Sequence, residues 1–408
     1  MLTVLSEGSG QNSCEKLRVV FISSGPATKF SSGYYVAKAG KSPAMNLLAQ
    51  VYDIKSFCWT KRSEQPIDEK LVYLLDGLQI TISLLRCLLR DRFKAIVTTG
   101  IPVLESVPTF ITAKLLRIPI IIRETHWYWP DTLASKFTWP INKLMAFNCN
   151  LVICPGKKAY AYWRSLGIPE KKIKIIPFYA SVLQIDPQIA KLTRELHAKF
   201  RNEAVVLYFG RLIKKKGVEY LIKAFAKLEG EFRDVLLVVA GDGPERSNLE
   251  KLCAELQLGN VIFTGAVNEE VKPAYFSFAD IYVYPSITLE LPEEWPLGVV
   301  EAMSMGKPVI VTDAVGSAPD VVQQGINGFV VPEKDSNGLY RAMKRIILDK
   351  ELRKSMGAAS ANIIKNEFTY DRAAEGLTDA INFVIQPKTQ QTPATIQQSS
   401  EISLRTTA

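Results

Sequence analysis

A chain of 408 residues is long enough for two or three domains with large cores. Its 47% hydrophobic and 22% charged content excludes disordered and fibrous classes, and no run reaches the ~18 consecutive apolar residues of a membrane span. The net charge of +9 suits an anionic partner, yet no recognised nucleic-acid module accompanies it, so nucleic-acid binding is not expected.

The opening MLTVLSEGSGQNSCEK has no basic n-region and is not read as a secretory signal. Strand-like runs follow at Val19–Ser23, Ala95–Thr98, Pro119–Arg123, Leu151–Cys154 and Ile173–Pro177. Helical patterns lie between them near Pro43–Gln50, Leu71–Leu89, Leu104–Leu116, Ile141–Ala146 and Ala159–Leu166. Such alternation predicts a parallel sheet covered on both faces. Ser181–Asn202 reads as a connecting segment with some helical character. The logic then repeats. Val205–Phe209 is a strand, and Val218, Leu221, Ile222, Phe225 and Leu228 mark one face of a helix. Further strands are expected at Val235–Ala240, Val261–Thr264, Ile281–Tyr284 and Val309–Thr312, and a last helix at Thr369–Ile385. The fold class is therefore α/β, two doubly wound parallel-sheet domains in tandem. From Gln386 onward the chain is rich in Gln, Thr and Ser and is expected to be disordered.

The six cysteines have no CxxC spacing and read as structural thiols in a reducing, cytoplasmic compartment. With two histidines and no Cys/His pair at ligand spacing, no metal site is expected. Basic residues cluster at Arg86–Lys94, Lys157–Lys158, Lys171–Lys174 and Lys214–Lys216. They are solvated charges, or they attract an anionic membrane surface or a phosphorylated acceptor.

The densest signal is the segment from Pro285 to Gly328. Glu293 precedes an expected helix and Glu301 lies inside it. Pro296 suits the first helical turn, and Gly306 with Pro308 ends the helix. Pro296 has no N–H to leave unpaired, and the free N–H groups from Leu297 and Gly298 onward form a helix N-terminus suited to phosphate. A carboxylate can accept two hydrogen bonds from a vicinal diol. Upstream, Arg211 follows a strand end and Lys216 lies in the next tight loop, placed to neutralise a diphosphate. His126 follows another strand end in ETHWYWP, among aromatic residues that can stack on sugar rings or lipid.

Pro285-Ser286, Glu293 and Glu301 with seven residues between them, Ala302-Met303, Gly306-Lys307-Pro308-Val309, Gly325 and Asn327-Gly328 stand in order. This pattern resembles retaining glycosyltransferases of the GT-B fold, most closely glycosyltransferase family 4. The match is strong over Tyr208–Pro332 and weak before Ile118. The resemblance implies retaining, metal-independent sugar transfer from a UDP- or GDP-linked donor to a glycan or lipid-linked acceptor, with no cofactor besides that co-substrate. It implies catalytic roles for His126, Arg211, Lys216 and Glu293. Donor contacts are implied for Gly40, Arg211, Lys216, Val267, Glu293, Pro296, Leu297, Gly298 and Glu301. Residues 1–185 would form the acceptor domain and 186–368 the nucleotide-sugar domain, with the helix 369–385 crossing back and 386–408 a tail. Departures are a single glycine at Gly40 where the family has two, and Phe178-Tyr179 where it has Asn-Gly. Alternatives are a catalytically silent sugar-nucleotide-binding or glycan-binding subunit, or a sugar-nucleotide epimerase on the same architecture.

Overall fold

The computed structural model describes residues 16–24, 27–29, 35–37, 43–59, 82, 85–99, 103–129, 132–179, 183–200, 204–289 and 293–386. Gly40, most of the expected Leu71–Leu89 helix and the tail from 387 lie outside the described residues.

The first domain runs through β1 (Arg18–Ser24), the antiparallel pair β2 (Ala27–Lys29) and β3 (Tyr35–Ala37), α1 (Pro43–Val51), β4 (Asp53–Trp59) and β5 (Ala95–Thr99). It continues with α2 (Val103–Leu115), β6 (Ile120–Arg123), α3 (Leu133–Asn148), β7 (Leu151–Cys154), α4 (Lys157–Ser165) and β8 (Ile173–Ile175). Its six-stranded parallel sheet has the order β4-β1-β5-β6-β7-β8. Side chains alternate across it with period two. Val20, Ile22, Ile96, Ile120 and Val152 build the core on one face, while Val19, Phe21, Val97, Ile121 and Leu151 build the core on the other.

Helix α5 (Pro187–Lys199) leads into the second domain. There follow β9 (Ala204–Phe209), α6 (Val218–Glu231), β10 (Val235–Ala240), α7 (Arg246–Glu255), β11 (Val261–Gly265) and α8 (Lys272–Phe278). Then come β12 (Ile281–Tyr284), α9 (Leu297–Ser304), β13 (Val309–Thr312), the short α10 (Ala318–Val321), β14 (Gly328–Val331), α11 (Ser336–Leu348), α12 (Lys350–Glu367) and α13 (Tyr370–Ile385). The strand order is β11-β10-β9-β12-β13-β14, so the winding direction reverses between β9 and β12. In such sheets a crevice opens beyond the carboxyl ends of the two strands at the reversal. Helix α13 packs on the first sheet, burying Ala373, Leu377, Ala380 and Ile381 with Ala44 and Leu48 of α1. The Tyr52 hydroxyl donates to Asn382 Oδ1 at 2.7 Å across this contact.

Several elements differ from the sequence reading. Strands β4 and β14 were not expected, because DIKSFCW alternates charge with apolar residues and GFVV opens on a glycine. The helix expected at Ile141–Ala146 runs over Leu133–Asn148. Pro140 lies inside it rather than starting it, and Thr132 caps the true start by accepting from Ser135 N at 3.1 Å. Pro296 is the N-cap of α9, with extended ψ, and helical geometry begins at Leu297.

Candidate active site

The crevice is assembled from the loops that leave β9 and β12. After β9 the chain turns through a 3-10 segment, Lys214–Lys216, and reverses at Gly217 with φ of 61°. A Cβ at Gly217 would lie 2.1 Å from the Pro285 carbonyl, so this loop and the one after β12 touch through a glycine. Ile287 N donates to Lys215 O at 2.9 Å and locks the two together. Lys216 is thereby carried over the end of β12. Its Nζ donates to Glu293 Oε2 at 2.6 Å and to the Tyr284 hydroxyl, and lies 4.9 Å from the centre of that ring. Lys215 Nζ stands 3.5 Å from the same carboxylate oxygen. Burial lowers the Lys216 pKa, the Glu293 carboxylate opposes that, and the charges of Lys215 and Arg211 add to the lowering. Arg211 itself is exposed at the crevice edge.

Glu293 is held through its backbone. It bridges to Val315, its carbonyl accepts from Gly316 N at 2.7 Å, and Trp127 Nε1 donates to the same oxygen at 3.2 Å. The carboxylate is 9% exposed and also accepts from Ser286 Oγ at 3.5 Å. Helix α9 starts just beyond. No side chain caps its N-terminus, and Leu297 is 53% exposed there. A Cβ at Gly298 would meet the Tyr282 hydroxyl at 2.5 Å, which places the first turn of α9 directly on the ends of β12 and β9. Glu301, one turn on, is buried. Its Oε1 accepts from Lys272 Nζ at 2.7 Å. Burial pushes the Glu301 carboxyl up, with Lys272 opposing. Lys272, itself 7% exposed, also reaches Glu269 at 2.8 Å. Burial alone would lower its pKa, and the two carboxylates outweigh that and raise it.

The first domain contributes the loop after β6. Glu124 N donates to Ile153 O at 2.8 Å and fixes the loop start. His126 Nδ1 lies 3.5 Å from Glu294 Oε1 of the second domain and 3.8 Å from Glu124 Oε2. Burial pulls the imidazole pKa down, but Glu124 and Glu294 more than compensate and raise it. Trp127 and Tyr128 both donate to backbone carbonyls of the second domain, those of Glu293 and Leu289. The aromatic cluster expected to face sugar or lipid therefore contributes two of its rings to the seam. Lys157 and Lys158, expected as surface charges, do the same. Lys157 N donates to both carboxylate oxygens of Asp320 at 3.1 Å, and Lys158 Nζ donates to Asp313 O beneath the Trp127 ring.

The structure thus brings Lys216, Glu293 and the start of α9, with Pro296, Leu297 and Gly298, to one crevice, with Glu301 one turn below. His126 stands at the interdomain seam, beside Glu294 rather than in contact with Glu293. Val267 lies after the end of β11, half-buried against the second core. Lys272, Asp320 and Glu294 were not singled out from sequence as partners. The one usable signal was the pair Glu269 and Lys272 at helix-start spacing. Among the described residues no group of three or more His, Cys, Asp or Glu is placed to hold a metal ion, and no helix is long and apolar enough to cross a membrane.

Residues 191–362, which carry the whole β9, β12 and α9 crevice, match the family model described as glycosyl transferases group 1. The second domain is a group 1 glycosyltransferase domain. The chain is 28% identical over 283 residues to the alpha-D-kanosaminyltransferase of Streptomyces kanamyceticus, covering 66% of this chain and 71% of that protein. It is 29% identical over 191 residues to a GDP-mannose-dependent alpha-(1-6)-phosphatidylinositol monomannoside mannosyltransferase of Mycobacterium tuberculosis. That match covers 45% of this chain, which spans about half of the relative, 49% of its length. The crystal structure of Anabaena HepE in complex with UDP and glucose superposes with a TM-score of 0.67 at 20% identity, over 90% of this chain and 99% of that one. The likeness is one of architecture, and the two-sheet arrangement of the chain is the GT-B fold.

Proposed function

We propose that the protein is a retaining, metal-independent glycosyltransferase of the family 4 type. It moves a sugar from a UDP- or GDP-linked donor to a glycan or lipid-linked acceptor on the cytoplasmic side of the cell. The observation that carries this reading is the crevice at the strand-order reversal, where Lys216 pairs with Glu293 beside the uncapped start of α9. Breaking the bond from sugar C1 to phosphate oxygen sends an electron pair onto the diphosphate. Preorganised positive charge at that point is usually the largest catalytic contribution. Arg211, Lys216 and the first N–H groups of α9 supply it without a cofactor. An acceptor hydroxyl forms the new bond to C1 on the face the diphosphate leaves, and its proton departs with the diphosphate.

Lys216 and Glu293 satisfy each other at low exposure. A donor entering the crevice takes the ammonium to its phosphates and the carboxylate to a sugar hydroxyl. Glu301 is set to accept from the ribose diol, with Val267 and the β11 end beside the base. His126 faces the donor sugar from residues 1–185, the acceptor half. The UDP and glucose in HepE and the phosphatidylinositol-linked acceptor in the mycobacterial enzyme's name support the donor and acceptor classes.

The test is a panel of UDP- and GDP-sugars added with a chelator while the melting temperature is followed. A ligand of the native state raises it with the logarithm of its excess over Kd. One donor should stabilise the wild type and fail with Arg211→Ala. Transfer to a lipid extract should then give a product whose anomeric configuration matches the donor. Stabilisation without turnover, unaltered by Arg211→Ala, would instead favour a silent binding subunit.

A further inference from the structure

Helix α3 has its apolar residues on the wrong side. Surface helices normally turn their apolar stripe inward. Here the inward positions are Asn142, Met145 and Ala146, all buried. Both polar side-chain atoms of Asn142 lack a hydrogen-bond partner among the described residues. Leu133 is 77% exposed, Phe137 77%, Ile141 37% and Leu144 64%. Spacings of four, four and three residues put these side chains on one outward stripe. Leu115 of α2, 78% exposed, extends the patch, because Lys114 Nζ donates to the last carbonyl of α3, that of Asn148. Contiguous exposed apolar area on this scale marks an interaction site.

The charge around the stripe selects the partner. No Asp or Glu occurs between Asp131 and Glu170, nor between Glu105 and Glu124. Lys136 and Lys143 lie along one edge of the stripe, Lys143 with its ammonium 4.8 Å from the Trp139 ring. Lys172 Nζ donates to Phe147 O at 2.8 Å, so Lys114 and Lys172 flank the C-terminal end. A helix with Leu and Phe on its outer face and lysines at its margins lies in the interface of an anionic bilayer, apolar face down. A second copy of this chain would set the lysine margins against each other, which disfavours self-association through this face.

We propose that the outward face of α3, with Leu115 of α2, docks the protein on an anionic lipid bilayer. The N-cap of α3 is Thr132, and Trp129 Nε1 donates to Ser135 O at 3.0 Å. The docked face is therefore continuous with the His126 loop at the seam. Docking brings that seam to the membrane surface, where a lipid-linked acceptor would be met; this last step rests on the transferase reading, and the docking does not.

The experiment is cosedimentation of the full chain with phosphatidylcholine vesicles, with and without one-third phosphatidylglycerol. The wild type should sediment with the anionic vesicles alone and less so in high salt. Phe137→Ser combined with Leu144→Ser, and separately Lys136→Glu combined with Lys143→Glu, should each weaken binding by ~10-fold or more. Melting temperature and donor stabilisation should stay at wild-type values in both variants, since neither touches the crevice. Equal sedimentation of wild type and both variants would overturn the proposal, as would no sedimentation of the wild type. It would also be overturned by a wild-type dimer that Phe137→Ser with Leu144→Ser converts to monomer, since the face would then belong to a second copy. Loss of the donor shift in every variant, with vesicle binding intact, would count against the transferase reading and leave the docking face standing.

Discussion

At the scale of single residues the crevice is a set of compensated buried charges. Lys272 and Glu301 have side chains 8% and 6% exposed and meet at 2.7 Å. Removing one member leaves the other buried without its ion, so Lys272→Met should destabilise the fold by ~3–5 kcal/mol in urea denaturation. Lys272→Met with Glu301→Leu should recover much of that loss; purely additive effects of the two changes would argue against coupling. Lys216 has a different weight. On the proposed reading Lys216→Ala removes one charge aimed at the leaving diphosphate and should lower kcat by ~10²–10³-fold. Its melting temperature should fall far less than that of Lys272→Met. Arg211, Lys216, Glu293 and Glu301 were legible because they recur at spacings tied to strand ends and one helix start. Lys272 and Glu294 were not legible as partners of Glu301 and His126, since those residues lie on other segments and the Glu269–Lys272 spacing marks only a helix start.

At the scale of elements, small residues set the contacts that make the crevice. Gly217 combines a left-handed φ with close approach to the Pro285 carbonyl. Gly217→Ala must shift the loop or its neighbour, at a cost of ~1–3 kcal/mol, and should displace Lys216 from Glu293. Turnover with the donor should fall by more than the stability loss explains. An unchanged kcat would mean that the loop moves as a unit and keeps its geometry. Gly316 plays a similar part at the seam, where a Cβ would meet Glu294 O at 2.3 Å and Trp127 at 2.8 Å. Most elements could be read in advance from runs of Val, Ile and Leu and from one-sided helical spacing. Helix α3 could not be delimited that way, because its apolar period marks the outer face and its start is set by the Thr132 cap.

At the scale of the whole molecule the two domains are joined by a carboxylate. Asp320 caps the first turn of α4 from across the seam, and a Cβ at Gly156 would meet it at 2.3 Å. Burial pushes its pKa from 3.8 to about 7, against the Lys157 N–H and the charges of Lys157 and Lys158. Between those values the folded protein retains a proton that the unfolded chain has released. Stability is therefore fully present below pH 3.8 and is lost as pH rises through about 7. The upper bound is ~4 kcal/mol. His126, also raised, loses its contribution in the same direction as pH rises above 6.5. Asp320→Asn removes one of these two slopes, so its melting temperature should gain on the wild type between pH 5 and 8. Parallel pH profiles for the two proteins would refute the assignment.

By itself the sequence determined that this chain forms two tandem parallel sheets and which loops leave the strand ends, because both depend on the local alternation of apolar, glycine and proline positions. It also singled out the residues proposed for the donor side, Arg211 and Lys216 in one loop and Glu293 and Glu301 around one helix start. Only the tertiary structure decided that Lys216 rests on Glu293, that Lys272 holds Glu301 and that Asp320 reaches α4. Each of those contacts joins charges far apart in the chain, and their partners are chosen by burial rather than by neighbourhood. The outward apolar stripe of α3 belongs to the same class, since a period shows that a helix has two faces and only packing shows which one is left to the solvent.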